Sequence, residues 1–262
     1  MRDAMRPKAG NPCVLLVDLA NHVHADWHAT GDRAADTTLR RIEAVAERLR
    51  PMSVSVAVES QGPTFRHQLA EGYKGNRPET DAGLLAQMER AIAQCCDNEW
   101  AVIGAEGFEA DDVLATAAEI ASRDFGLQVV IASKDKDLRQ LLVEGRLSLL
   151  IGASRREGNL ELEWMTARDL YARYGLRPEQ WIDYQCLVGD ATDAIVGAKG
   201  IGDKTARAIL RKAGTLEAAW QNPWVLPVSE KIRISLAELR GRIDVLRQLV
   251  TLRRDVDIQW VP

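Results

Sequence analysis

Cys13 to Val17 (CVLLV) is an unbroken apolar run that ends at Asp18. That pattern predicts a strand buried on both faces, delivering a carboxylate at its C-terminal end. From Leu39 to Leu49 the apolar positions (Leu39, Ile42, Val45, Ala46, Leu49) recur at helical spacing, and Pro51 stops the helix. MSVSVAVE then alternates, with Met52, Val54, Val56 and Val58 on one side and Glu59 closing a second strand. Leu84, Leu85, Met88, Ile92 and Cys95 form another helical stripe, read as core. Val113, Leu114, Ala117, Ile120 and Ala121 form the next, which puts Glu109, Asp111 and Asp112 in a first helical turn, where acids favour the helix dipole. Leu127 to Ala132 reads as a third buried strand, followed by Asp135 and Asp137. Strands alternating with helices predict an α/β fold with a right-handed crossover parallel sheet. Asp18, Glu59, Asp135 and Asp137 would converge on one rim, where open parallel sheets place their ligands.

After Asp137 the pattern changes. LRQLL predicts a short helix, Leu147 to Ile151 a strand, Ser154 to Asn159 (SRREGN) a turn, and Leu160 to Glu163 the returning strand of a hairpin. Thr166 with Asp169 three residues on resembles a capping box. Beyond it strands nearly vanish, with no Gly/Ser/Pro tract at the change. The expected organisation is a core over 11–164, including an arch over about 62–95, and a helical half over 165–262. Core packing is the default assignment for the last helices, with Trp224 and Trp260.

The chain has 262 residues and 46% hydrophobic content, ample for a core. MRDAMRPKAG carries charges with no apolar stretch after them, and no run approaches the roughly 18 residues of a spanning helix. Neither export nor a membrane is expected, and a reducing cytoplasm fits four cysteines without C-x-x-C spacing, three of them in or beside apolar segments. A net charge of −4 taken alone argues against a nucleic-acid partner. Setting aside nine acids as candidate metal ligands leaves 29 of the 38 against 34 Lys and Arg, a mildly basic remainder.

Either acidic cluster alone has a simpler reading as helix caps and solvated charge. Two clusters bracketing one helix-strand unit favour a joint role. GPTFRHQLAEGYKGNRP, between Gln61 and Pro78, defaults to a surface loop. Its Arg66, Lys74 and Arg77 beside Phe65 and Tyr73 are also what a phosphodiester-gripping flap needs. GDATD (Gly189 to Asp193) sets Asp190 and Asp193 three apart, able to face one way on a helix. GAKGIGDKTARAILRK (Gly197 to Lys212) offers glycines for a tight hairpin and a following helix N-terminus, which hold phosphate without reading a base, with Lys204, Arg207 and Arg211 on one helix face. Asp203 separates Gly202 from Lys204 and no strand precedes, which excludes a Walker A loop. His22, His24 and His28 lack a Cys partner and read as packing or surface residues rather than a zinc site.

VLLVD, FRHQLAEGYKGNRP, GFEADDVLA, ASKDKDLRQLL, LVGDATD and GAKGIGDKTA, in this order, closely resemble the bacterial 5′-to-3′ exonuclease/flap endonuclease family, whose best-known member is the N-terminal domain of DNA polymerase I. The resemblance covers roughly residues 13 to 222, and with no polymerase following it implies a stand-alone enzyme. It implies a PIN-like sheet binding two divalent ions, an arch admitting the 5′ strand, and a helix-hairpin-helix element over about 185–213 gripping duplex DNA. Asp18, Glu59, Glu109, Asp111 and Asp112 match the first metal site, and Asp135, Asp137, Asp190 and Asp193 the second, some through water. Arg66, Lys74 and Arg77 match the basic arch. Phe65 and Tyr73 join the DNA contacts, and Gly197, Lys199, Gly200 and Gly202, with Lys204 and Arg207, match the duplex-binding hairpin, where a potassium ion is also expected.

Two positions depart from the family. Glu59 stands where Asp is usual, lengthening a ligand by one methylene, and His24 and Ala25 replace an aromatic-basic pair, with Trp27 the nearest substitute for stacking. Two carboxylates about 4 Å apart repel by roughly 4 kcal/mol even at an effective dielectric near 20. A nine-acid cluster therefore demands cations, and all-oxygen ligation selects Mg²⁺, or Mn²⁺ in its place, over zinc. The expected reaction is two-metal hydrolysis of DNA at 5′ flaps, nicks or ends, leaving a 5′-phosphate, with Lys74 and Arg77 offsetting phosphoryl charge. Selection follows DNA shape rather than sequence. A DNA polymerase is the expected partner. The competing readings are a catalytically weak DNA-structure binder and a PIN-type ribonuclease.

Overall fold

The computed structural model describes residues 12–261. The N-terminal stretch on which the absence of an export signal was read lies outside the described residues. In chain order the strands are β1 (Cys13–Asp18), β2 (Ser53–Ala57), β3 (Ala101–Gly104), β4 (Gln128–Ala132), β5 (Leu147–Arg156), β6 (Asn159–Met165), β7 (Gly189–Asp190), β8 (Ile195–Val196) and β9 (Gln259–Trp260). The helices are α1 (Leu19–Thr30), α2 (Ala34–Leu49), α3 (Phe65–Leu69), α4 (Ala82–Asp97), α5 (Ala110–Arg123), α6 (Ala167–Tyr174), α7 (Trp181–Val188), α8 (Asp203–Ala213), α9 (Leu216–Gln221), α10 (Glu230–Leu239) and α11 (Ile243–Val250). No described helix is long and apolar enough to cross a membrane.

The chain divides into two compact units, the first comprising residues through Thr64, Glu79–Ala167 and from Leu252 on, the second Phe65–Pro78 and Arg168–Thr251. The first unit is built on a seven-stranded sheet of order β6-β5-β4-β1-β2-β3-β9. The five inner strands run parallel, and β6 and β9 close the edges antiparallel. The α/β parallel-sheet reading is thus realised. Strand order reverses between β1 and β4, whose paired residues are apolar and buried except for half-buried Gln128 at the start of β4, as strands covered on both faces must be. Leu15, Val17, Val56, Val102 and Val130 join Val23, Leu39, Ile42, Val45, Leu84 and Cys95 in one core cluster. The alternate residues Leu16 and Ile131 are also buried, and α5 packs on β1, β2 and β4.

Several local expectations change. Asp18 ends β1 and caps α1, its Oδ1 accepting the Asn21 N–H at 3.0 Å. That helix has little amphipathic pattern, and α/β periodicity missed it along with the short strand β3. The β5–β6 turn is tighter than the six residues read from sequence: only Glu157 and Gly158 turn the chain, both with positive φ, as a two-residue hairpin requires. LRQLL belongs to a 3₁₀ turn over Asp137–Leu141. Trp224 and Trp260 are each 75% exposed, so neither packs in a core.

The two units exchange segments that the sequence left in place. Residues 252–261 return to the sheet: Arg253 N–H donates to Asp112 Oδ1 at 2.8 Å, Leu252 N–H to Gln140 Oε1 at 3.0 Å, and β9 zips onto β3. Residues 65–78 fold with the helical unit, and in the expected arch region residues 70–81 contain turns and no helix. The second helix of that region, α4, packs on α1 and α2 instead. Arg66 anchors the exchanged segment. It is 2% exposed, and its guanidinium donates to the carbonyls of Leu249 at 2.7 Å and Thr251 at 3.3 Å. A guanidinium spent on buried carbonyls has no reach to phosphate, which removes Arg66 from the basic arch. Tyr73 is also buried, its ring edge-on to His67 at 5.3 Å, rather than displayed for stacking on DNA. Charge-assisted hydrogen bonds contribute about 1.5–3 kcal/mol each, and removing one partner strands the other. Arg66→Ala is therefore expected to lower stability by about 2–4 kcal/mol in urea unfolding. A loss within about 0.5 kcal/mol, the range of ordinary surface substitutions, would return this residue to a surface role.

Candidate metal centre and nucleic-acid interface

The register of the central strands builds the acidic rim. Val17 pairs with Ala132 and Asp18 with Ala57, so Asp18 stands level with Ser133, one residue past β4. The Ser133 hydroxyl donates to Asp18 Oδ2 at 2.7 Å and accepts the Asp135 N–H at 3.0 Å. Asp135 Oδ1 in turn accepts the Asp137 N–H at 2.8 Å. His22, half-buried on α1, sets its Nε2 at 3.1 Å from the Ala132 carbonyl. Burial, with the charge of Arg41, pushes its pKa down to about 4, so the ring is neutral at pH 7 and packs as a donor.

Asp18 and Asp111 carry the cost of this arrangement. Burial raises Asp18 to a pKa of about 6, against the Asn21 N–H and Ser133 hydroxyl that favour its ionised form, while the charges of Asp135 and Glu59 push it further up. Asp111, on the first turn of α5, is held well above the usual carboxylate range by burial and by Asp135, Asp18, Asp137 and Glu109. Acids from four chain segments therefore act on one another: the ends of β1, β2 and β4, and the start of α5. Glu59 is exposed at the margin, and Glu109 is buried at the α5 N-cap. Asp112, one residue past Asp111, belongs elsewhere. It is fully buried, closes a capping box by accepting the Glu109 N–H at 3.3 Å, and takes the Arg253 N–H. As the third residue of its helix, its side chain turns back on the cap, so Asp112 is a structural tie rather than a ligand.

Oxygen donors that repel one another at the C-terminal rim of a parallel sheet, at its switch point, fit a hard divalent cation. The residues suited to hold one in this unit are Asp18, Glu59, Glu109, Asp111, Asp135 and Asp137. Ser133 and Asn21 went unread in the sequence. The only signal for Ser133 is a small hydroxyl residue between a strand end and an acid.

In the second unit Asp190 ends β7 and accepts the Thr192 N–H at 2.8 Å. Asp193 is buried and binds the Arg77 guanidinium, while its carbonyl accepts the Lys74 N–H at 3.0 Å. Asn76 Nδ2 adds a 2.7 Å bond to the Ala191 carbonyl. GDATD is thus a turn between two short strands rather than a helix face. Lys74 is half-buried with its Nζ 5.4 Å from the Tyr73 ring centroid, and Phe65 carries the Arg66 guanidinium at 4.6 Å.

Between α7 and α8 runs the glycine hairpin. A Cβ on Gly197 would stand 2.4 Å from the Leu187 carbonyl and one on Gly189 2.4 Å from Gly197 N, so neither position accepts a side chain. Gly200 turns with φ +77, Lys199 and Lys204 project into solvent, and Gly202 caps α8. Arg242 braces this turn from the 3₁₀ turn before α11, donating to the Val196 and Gly197 carbonyls at 3.1 and 3.0 Å. Arg207 and Arg211 are engaged: Arg207 pairs with Asp203 at 3.0 Å and donates to the Arg173 carbonyl, and Arg211 donates to the Tyr174 carbonyl. Their charges cap the end of α6, which takes Arg207 out of the exposed DNA-facing set.

The family described as 5′-3′ exonuclease, N-terminal resolvase-like domain, matches residues 14–175, and the 5′-3′ exonuclease, C-terminal SAM fold, matches residues 176–262. The thermostable DNA polymerase I of Thermus thermophilus is 39% identical over 210 residues, covering 79% of this chain and 24% of the relative. DNA polymerase I of Bacillus subtilis is 32% identical over 211 residues, covering 80% and 23%. The chain thus spans about a quarter of the length of these curated relatives. Among solved structures, T5 5′-exonuclease with bound zinc superposes with a TM-score of 0.74 at 23% identity, covering 92% of this chain and 89% of that one. The catalytic core of Rad2 in complex with DNA superposes at 0.60 with 16% identity, covering 98% and 84%.

Asp18 sets a pH dependence. Its folded pKa of about 6 lies above the ordinary value of 3.8, so the proton is bound more tightly in the folded chain. Its stabilising effect is complete below about 4 and lost as pH rises through about 6, on the order of 3 kcal/mol at roughly 1.4 kcal/mol per unit. In EDTA the urea midpoint should fall between about pH 4.5 and about pH 7.5, and Asp18→Asn should flatten that fall. An equal slope in both chains would show that the rim does not carry the repulsion.

Proposed function

The chain belongs to the 5′-3′ exonuclease family, and from that premise we propose that it is a structure-selective 5′-to-3′ exonuclease and flap endonuclease acting on DNA. The observation that carries this reading is the acidic rim, where Asp18 and Asp111 are driven toward protonation by burial and neighbouring carboxylates. A chain that only bound DNA would gain nothing from a repulsive cluster turned toward phosphate.

Divalent cations, two Mg²⁺ with Mn²⁺ able to replace them, supply the positive charge that activates water and stabilises the leaving 3′ oxygen when bound. The rest is done by the chain. Asn21 and Ser133 fix both oxygens of Asp18, and Ser133 also holds the backbone of Asp135, so one hydroxyl sets the spacing of ligands from two strands. Glu109 and Asp111 present their carboxylates from the N-terminus of α5, whose dipole lowers the cost of gathering them. Asp190 and Asp193 are proposed as further ligands on motif and residue type. Lys74 offsets charge on the transferring phosphoryl group, and Arg77, engaged with Asp193, joins it once that carboxylate has another counter-charge. Lys199 and Lys204, with the N–H groups of the glycine hairpin, grip duplex backbone, and a potassium ion at that hairpin is part of the proposal. The relatives are DNA polymerases, so a polymerase is the proposed partner class.

The test is cleavage of a 5′-flapped duplex with Mg²⁺, Mn²⁺ or EDTA. We expect metal-dependent cutting near the junction, a loss of about a hundredfold or more for Asp135→Ala, and a loss of about 10–100-fold for Ser133→Ala. Salt-sensitive binding without cutting under either metal would make the chain a DNA-structure binder, and preferential cutting of an RNA flap would make it a ribonuclease.

A further inference from the structure

α10 is flanked by two tryptophans that each lie beneath an arginine. The Arg233 guanidinium stands 5.3 Å from the Trp224 ring centroid, and that of Arg240 6.0 Å from Trp220. Arg233 and Arg240 are seven residues apart, two helical turns, and so share one side of the helix and the turn that extends it. The two pairs differ in what else they do. Trp220 Nε1 donates to the Leu236 carbonyl at 2.7 Å and its ring is half-buried, as a packing residue's would be. Trp224 is 75% exposed, on a three-residue 3₁₀ turn over Pro223–Val225 whose Pro223 carbonyl accepts Arg233 Nε at 3.0 Å. The arginine thus fixes the turn and backs the indole at once, holding a large apolar face in solvent in a set orientation. Such a side chain gains nothing from folding.

This surface adjoins the glycine hairpin. A Cβ on Gly200 would meet Ile232 Cδ1 at 3.6 Å, so the exposed hairpin turn that carries Lys199 rests against the first turn of α10. Lys231, exposed, stands beside that contact. Residues 229–242 hold more basic side chains than acidic ones, within a chain whose net charge is −4. Cations next to an exposed, pre-oriented indole, continuous with a backbone-gripping hairpin, complement a phosphodiester backbone and its sugars.

We propose that Trp224, Arg233 and Lys231 form a second duplex-contact surface that lengthens the grip of the hairpin. Trp224 lays its apolar face against deoxyribose, while Lys231 and Arg233 neutralise phosphates beyond those the hairpin reaches. The inference rests on the DNA-binding reading above. Its signature is a contact that matters only when the duplex is long enough to reach it.

The test measures binding by fluorescence anisotropy, in EDTA, to flapped substrates with duplex arms of about 8 and about 20 base pairs. Trp224→Ala should weaken binding to the long arm by on the order of tenfold and leave the short arm unchanged. Lys231→Ala, at an exposed position where folding is not at stake, should lower the slope of log affinity against log salt by about one on the long arm only. Lys199→Ala serves as the control and should weaken both arms. If Lys199→Ala weakens both while Trp224→Ala and Lys231→Ala change neither, the second surface is refuted and the hairpin reading stands. If none of the three has an effect, the DNA-binding reading falls with it.

Discussion

Mutual repulsion among carboxylates is the constraint around which the first unit is arranged. Two such groups about 4 Å apart cost roughly 4 kcal/mol at an effective dielectric near 20, whereas a helix N-terminus returns about 0.3–1 kcal/mol, up to ~2 where partly buried. The dipole of α5 therefore cannot offset the gathering of Asp111 with Asp18, Asp135, Asp137 and Glu109. Nor do the bonds from Asn21 and Ser133 restore Asp18 to its ordinary pKa. The imbalance is tolerated because the elements beneath it are over-determined: β1 and β4 are paired along their length and buried on both faces, so the rim cannot relax by separating them. What remains is a site whose stability depends on positive charge from outside the chain.

The same helix turn shows how adjacent acids take opposite roles. Asp111 and Asp112 differ by one position, about 100° around the helix axis. The first joins the rim, while the second points into the unit and receives the N–H groups of Glu109 and Arg253. Through Arg253 it fixes the start of the segment that ends in β9, so one carboxylate holds the N-terminus of α5 and the returning chain together. Replacing it would disturb both the cap that orients Glu109 and the strand that closes the sheet.

The strand-terminal acids were legible in the sequence for a physical reason. An apolar run that ends in Asp18, or is closely followed by Asp135, fits little besides a buried strand bringing a carboxylate to a sheet rim, whereas the strand order that makes β1 and β4 neighbours was not legible in the alternation of elements. Asp112 was not legible, because a first-turn acid looks the same whether it faces the rim or the cap. Arg66 was misread on similar grounds: in a loop rich in Gly, Pro and basic residues nothing local says that Leu249 and Thr251, far along the chain, offer carbonyls to it. Trp260 escaped because β9 is two residues long and acquires its strand character only by pairing with β3. Local pattern carries information about local structure. Segment exchange between units is written in partners far along the chain.

That exchange has a mechanical consequence for the helical unit. Residues 65–78 are fastened to the GDATD turn by Lys74 N–H, Asn76 Nδ2 and the Arg77 guanidinium, and to α11 through Arg66. The GDATD turn is itself flanked by β7 and β8, which Gly189 and Gly197 allow to approach, and Gly197 opens the hairpin that carries Lys199. Lys74 and the hairpin are thus parts of one packed unit, joined through the GDATD turn. Lys74 and the glycine hairpin therefore cannot shift independently of one another.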